Sequence, residues 1–154
     1  KAFRCICALL GTGTGKHAPD FTITVFGATG KREDHTLGNI SLLADFAQYL
    51  SSCGTPGRLS MMTDYGLFVP VLDSCAFSLP AGQPVSIFAF DQTLRIDSTG
   101  LEYPTGEVRF DMWWKATLNR ASGGRVELRL SHPAKALMYL PGWHGRRLET
   151  DTLL

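Results

Sequence analysis

The sequence has almost no excess of charge of either sign. Fifteen Lys and Arg stand against 14 Asp and Glu, a formal net charge of +1. No cluster of basic residues is dense enough to neutralise many phosphates, so strong nucleic-acid binding by this chain alone is not expected. No apolar run reaches the roughly eighteen residues that a membrane-spanning helix needs. The apolar stretch in the opening KAFRCICALLGTGTGKH is too brief for a secretory signal. The first residue is Lys1, so the chain reads as a processed product or a fragment. Internal repeats and low-complexity segments are missing, as are the GxSxG, HExxH and Cys–His signatures of nucleophilic or metal chemistry. Cysteine is sparse: Cys5, Cys7, Cys53 and Cys75 read as buried thiols of a reducing compartment, with a disulfide such as Cys53–Cys75 as the alternative. His17, His35, His132 and His144 lie too far from the cysteines in sequence to suggest zinc.

What is present is apolar content and alternation. With 154 residues and 44% hydrophobic side chains, the length predicts one domain, 1–154, able to bury a normal core. Period-2 runs predict seven strands: Phe3 to Leu10, Phe21 to Phe26, Arg58 to Tyr65, Cys75 to Leu79, Val85 to Phe90, Glu107 to Leu118 and Arg125 to Ser131. Clusters such as GTGTGKHAPD, CGTPG and LPAGQP supply the turns. One segment has helical spacing instead. In NISLLADFAQYL, Leu42, Leu43, Phe46, Ala47 and Leu50 share a face, with Asn39 or Ser41 available as N-cap. Many strands and a single helix of about ten residues point to an all-β fold, a sandwich or barrel.

The sharpest alternation is in residues 106–131. Val108, Phe110, Met112, Trp114, Ala116 and Leu118 are apolar, while Glu107, Arg109, Asp111, Lys115 and Thr117 are polar. Val126, Leu128 and Leu130 repeat the pattern after a turn. This predicts an antiparallel hairpin with Trp114 in the core. Trp113 is the one large apolar residue on the charged face, so either a loop or a partner covers it. The tail that follows carries Leu137, Met138, Tyr139, Leu140 and Trp143 outside any expected strand. These side chains must bury against a neighbouring subunit or against the domain's own sheet.

Two glycine motifs suggest nucleotide binding and fail on spacing. Gly11 to Lys16 lacks the first P-loop glycine, with Leu10 in its place, and His17 stands where Ser or Thr is needed. Gly27-x-x-Gly30 follows a strand, but Glu33 occupies the position of the third glycine of a dinucleotide-binding turn.

The stretches GRLSMMTDYGLFVPVLDSCAFSLPAGQPVSIFAF and WWKATLNRASGGRVELRLSHPAKALMYLPG resemble, in strand order and in the aliphatic-aliphatic-Pro exit, the capsid proteins of picorna-like viruses. They are most like the small coat protein of comoviruses and related plant viruses. The resemblance runs from about Gly57 to Gly142. It implies an antiparallel β-sandwich of jelly-roll type with one short helix, whose eighth strand would lie upstream of Lys1. It implies a structural subunit of an icosahedral shell, assembled in host cytoplasm and located in the virion. Its partners would be other coat subunits, with weak or indirect contact with genomic RNA and no membrane. It implies no catalytic residue, no cofactor and no metal. Trp113, Leu137, Met138, Tyr139, Leu140 and Trp143 become the candidate subunit interface. The alternative is a β-sandwich binding module, lectin-like or receptor-binding, using the loops Gly11 to Pro19 and Gly27 to His35. An enzyme is the third reading, on a distant similarity to pyrophosphatases of the dUTPase type whose substrate-binding motifs are missing.

Overall fold

The computed structural model describes residues 2–9, 21–54 and 57–152. The chain opens on a helix, not a strand: α1 spans Ala2–Leu9. Eight residues of mixed apolar sequence do not fix their own period, and here a tertiary contact decides it. Phe3 and Cys7, four apart, face the second helix. Cys7 is buried, and the Phe3 ring stacks on Phe46 with centroids 3.9 Å apart. Cys5 is exposed, so the expectation of four buried thiols does not hold there.

The second helix, α2, runs over Glu33–Ser52, twice the expected length. Its N-cap residue is Arg32, with extended backbone, and neither Asn39 nor Ser41 caps it. Glu33 and Asp34 in the first turn suit the positive end of the helix dipole. Leu43, Ala44, Ala47 and Leu50 form the buried stripe, while Leu42 stays exposed.

Strands β1 (Phe21–Val25) and β2 (Gly57–Thr63) flank α2 and pair in parallel, from Phe21 opposite Gly57 to Val25 opposite Met61. A βαβ unit therefore occupies the first third of the chain, because a parallel pair needs a crossover and α2 supplies it. The next strands are β3 (Gly66–Val71), β4 (Cys75–Ser78), β5 (Pro84–Ala89), β6 (Ile96–Thr99), β7 (Ala116–Arg120), β8 (Arg125–Leu130), β9 (Ala136–Pro141) and β10 (Thr150–Thr152). They form a six-stranded sheet in the order β1-β2-β3-β9-β5-β7 and a four-stranded sheet in the order β10-β4-β8-β6. The expected all-β jelly roll is thus replaced by three layers: two helices, a mixed six-stranded sheet and a smaller antiparallel sheet.

The middle of the six-stranded sheet is buried on both faces. Leu67, Val71, Ile87, Met138 and Leu140 pack toward the small sheet, and Leu59, Met61, Phe68 and Leu137 toward the helices. A strand covered on both sides reads as a continuous apolar run instead of an alternation. That is why GLFVPV gives no period-2 signal and why ALMYLP reads as a loose tail. In the structure ALMYLP is β9, hydrogen-bonded between β3 and β5.

The expected strand from Glu107 to Leu118 does not form. Its first part is turns, with Lys115 N donating to Met112 O and Thr117 N to Trp114 O, and pairing begins only at Ala116. There is no hairpin with residues 125–131: β7 pairs with β5 in one sheet, while β8 pairs with β4 and β6 in the other. Phe110 and Ala116 are buried as expected from the even positions, but Met112, Trp114 and Leu118 are exposed. Trp114, at 48% exposure, is therefore not a core residue. A backbone that turns every few residues does not keep alternate side chains on opposite faces.

Candidate functional site

The C-terminal end of β1 leads into the loop 26–32 and then into α2. Ligands of open α/β sheets gather at such strand ends. Gly27 and Gly30 take positive φ of 66° and 89° there, with open space around them. Asn39 Nδ2 donates to Ala28 O at 2.7 Å and ties the loop to the helix. Arg32 donates to both carboxylate oxygens of Asp34, from Nε at 3.1 Å and from Nη2 at 2.6 Å. That guanidinium is the main cause holding the Asp34 carboxyl below its ordinary range.

One turn further, α2 forms a wall of a cleft. The six-stranded sheet is wider than the helical layer, so its β5 side is left uncovered. A cleft of about 540 Å³ opens there, between Leu37, Ile40 and Ser41 of α2 and the segment 110–113. Its volume lies within the range of roughly 300–1,000 Å³ typical of small-molecule sites. Phe68 and Phe88 form the floor, and Phe90, Met112 and Trp113 the far side. The rings make a connected surface: Phe88 and Trp113 centroids are 5.4 Å apart, Phe90 and Trp113 6.4 Å, Phe68 and Phe88 6.4 Å. Among the described residues, Asp111 is the one carboxylate lining the cleft, and no lysine or arginine lines it. Lys115, hydrogen-bonded to Asp111, lowers its pKa.

The rim is fastened from below. Phe90 N donates to Lys135 O, and Lys135 Nζ reaches Asp45 of α2 at 2.7 Å. Asp91 accepts from Thr93 N at 2.8 Å and Thr93 Oγ1 at 2.6 Å, and pairs with His132 Nε2 at 3.2 Å. Among the described residues, no group of three His, Cys, Asp or Glu converges closely enough to hold a metal. No helix among them is long and apolar enough to cross a membrane.

Of the six residues expected at an interface, the structure brings Trp113 to this cleft, half-exposed. Tyr139 stacks on Phe68 beneath α2. Leu137, Met138 and Leu140 have no exposed surface, and Trp143 is buried with Nε1 donating to Arg146 O at 3.1 Å. Sequence reasoning missed Phe68, Phe88 and Phe90 as a group. The signal was present in VSIFAF, where Val85, Ile87 and Ala89 fill the inter-sheet core and place Phe88 on the opposite face of β5. The loop Gly27 to His35, which the alternative reading assigns to binding, contributes no residue to the lining of the cleft. The loop Gly11 to Pro19 lies outside the described residues.

A helical layer on a mixed sheet backed by a second antiparallel sheet is a fold already known among enzymes. Those enzymes are thiamin pyrophosphokinases. The one from Candida albicans matches with a TM-score of 0.64 and 18% identity, over 79% of this chain and 44% of its own. That from Bacillus subtilis matches with a TM-score of 0.63 and 20% identity, over 80% of this chain and 56% of its own. A protein from Lactobacillus plantarum matches with a TM-score of 0.67 and 18% identity, over 90% of this chain and 63% of its own. The chain spans about half the length of the first two, and at such identities the likeness is one of fold. Residues 66–139 match the family described as thiamin pyrophosphokinase, substrate-binding domain. No curated protein matches the chain in sequence.

The coat-protein resemblance is overturned by these matches, since the family model takes in β3 to β9, most of the stretch on which the resemblance rested. The icosahedral shell, the coat-subunit partners, the genomic RNA and the virion location go with it. So do the expectation of a chain without chemistry and the alternative of a lectin-like or receptor-binding module.

Proposed function

We propose that this chain forms the acceptor-binding part of a pyrophosphokinase, that the acceptor is thiamin, and that its ring system lies in the aromatic cleft. The observation that carries this reading is the position of the cleft: Phe68, Phe88, Phe90 and Trp113 all fall within the residues matching a thiamin pyrophosphokinase substrate-binding domain. The chemistry is complementary. Thiamin carries a planar, positively charged thiazolium ring, and a cation over an aromatic face gains roughly 0.5–2 kcal/mol, most when water is excluded. Asp111 at the rim is paired with Lys115, and among the described residues no lysine or arginine lines the cleft itself. Pyrophosphoryl transfer to an acceptor hydroxyl requires a group to take its proton. His35 stands two residues before Leu37 of the cleft wall, on the exposed first turn of α2, next to an Asp34 that Arg32 already holds.

Calorimetric titration of the chain with thiamin tests this. Saturable binding is expected, weakened about tenfold or more by Trp113→Ala and largely restored by Trp113→Tyr, because ring stacking needs an aromatic face. A parent chain that binds no thiamin at millimolar concentration would overturn the reading.

Residues 1–154 act in this proposal as one folding unit, since both apolar cores share the six-stranded sheet. A neighbouring chain seated on this side would meet Met112, Trp113 and Trp114, whose side chains are partly exposed. Leu137, Met138, Tyr139, Leu140 and Trp143 would serve such a contact by holding the sheet beneath it. Sedimentation of the parent against Trp113→Ala decides that contact: equal mass for both removes it.

A further inference from the structure

The sheets are unequal in width on their other side too. Beyond the edge of the four-stranded sheet, β1 and β2 overhang, and a groove of about 1080 Å³ opens under them. Parallel pairing sets Thr22 opposite Arg58 and Thr24 opposite Ser60, so the face turned from the helices carries a ladder of hydroxyls and one guanidinium. Ser60 Oγ and Thr24 Oγ1 are 3.4 Å apart across it. The segment between β9 and β10 brings Arg146 and Arg147 to the same groove. Side chains of the inter-sheet core, Leu67 and Phe77 among them, line its inner end.

Among the described residues, three guanidinium groups thus line one concavity against a single carboxylate, Asp73. Among the described residues none of the three forms an ion pair, whereas Arg32, Arg125 and Arg129 are each neutralised by a carboxylate. Unpaired cations gathered around a polar ladder raise the local concentration of anions. The planar fork of arginine matches phosphate oxygens two at a time, and Thr and Ser hydroxyls add further donors.

We infer that this groove binds a small phosphate-bearing molecule with an apolar portion, the phosphates on Arg58, Arg146 and Arg147 and the apolar portion toward Leu67 and Phe77. Nucleic acid is disfavoured, because three cations on a chain of net charge +1 neutralise too few phosphates for tight binding. Ala47, Leu50 and Ser51 near the end of α2 close one side of the groove, none of its lining residues lines the aromatic cleft, and it stands whether or not the thiamin reading does.

The test uses inorganic pyrophosphate as probe on the whole chain. Amide chemical-shift mapping should show perturbations at Thr22, Ser60 and the Arg146–Arg147 segment. Calorimetry should show affinity falling about tenfold for each of Arg58→Gln and Arg147→Gln, the usual scale of a lost charge-assisted hydrogen-bonded pair. Saturating thiamin should leave pyrophosphate affinity unchanged. Shifts confined to residues 32–39, unchanged affinity in both variants, competition by thiamin, or no binding would each overturn the inference. The mapping is done on the parent chain, so it holds even if a variant folds poorly.

Discussion

Phe68 and Tyr139 stand opposite each other on β3 and β9, with ring centroids 4.3 Å apart, on the face of the central sheet that α2 covers. The pair marks where the helical layer ends. Next to it Phe68 continues to Phe88 and then to Trp113, so one row of rings passes from under the helix into the open cleft. The same packing that secures the sheet therefore shapes the floor of the candidate site.

The two adjacent tryptophans should separate function from stability. Trp114 is half-exposed, so Trp114→Ala should cost about 1 kcal/mol or less and shift the melting temperature by only a few degrees. Thermal denaturation followed by circular dichroism checks this. Loss of soluble protein would place Trp114 in the core after all. Trp113→Ala should be comparably mild in melting yet impair thiamin binding.

Leu137 has no exposed surface and packs among Leu43, Leu59 and Phe68 on the helix side. Leu137→Ala should destabilise by about 2–5 kcal/mol, the range for a buried leucine whose cavity cannot fully collapse. Urea denaturation gives the value. Deleting everything after Pro133 should be far worse, since it removes β9 and leaves β3 and β5 without their shared partner. A folded monomer from that truncation would contradict the sheet order.

Gly100 has φ of +78°, and a Cβ there would lie 2.0 Å from the Arg125 carbonyl oxygen. Gly100→Ala combines a conformation that L side chains avoid with a backbone clash. It should destabilise by more than about 1 kcal/mol, the penalty for the left-handed region alone. Gly27→Ala, at φ of +66° but in open space, should show only that smaller conformational penalty. Equal melting temperatures for the two variants would remove the close approach from the account.

Asp91 titrates at about 2 instead of its ordinary 3.8, held ionised first by the Thr93 hydroxyl, then by the Thr93 N–H and by His132. A carboxyl whose pKa is lower in the folded chain favours folding when ionised. Its contribution is complete above about pH 4 and is lost as pH falls toward 2. Asp91→Asn should therefore lower stability near neutral pH and make the melting temperature less dependent on pH across that acid window. A parallel acid limb in parent and variant would show that Asp91 does not contribute there.

Strands with one face in the core and the other outside it were legible in the order of residues alone. Arg125 to Ser131 alternates because β8 has only one buried face, and its expected span is nearly the observed Arg125–Leu130. The spacing of Leu43, Ala47 and Leu50 likewise located α2, since a helix on a sheet buries a single stripe. Tertiary structure decided the rest. Gly66–Val71 and Ala136–Pro141 are covered on both faces, so their composition carries no period, and only their hydrogen bonds to neighbouring strands reveal the centre of the sheet. Alternation in residues 107–115 arises without any strand, because local turns there outweigh pairing. The aromatic cleft could not be read from the chain either: Leu37, Phe68, Phe88 and Trp113 are far apart in sequence, and the uncovered edge of a sheet wider than its helical layer brings them together.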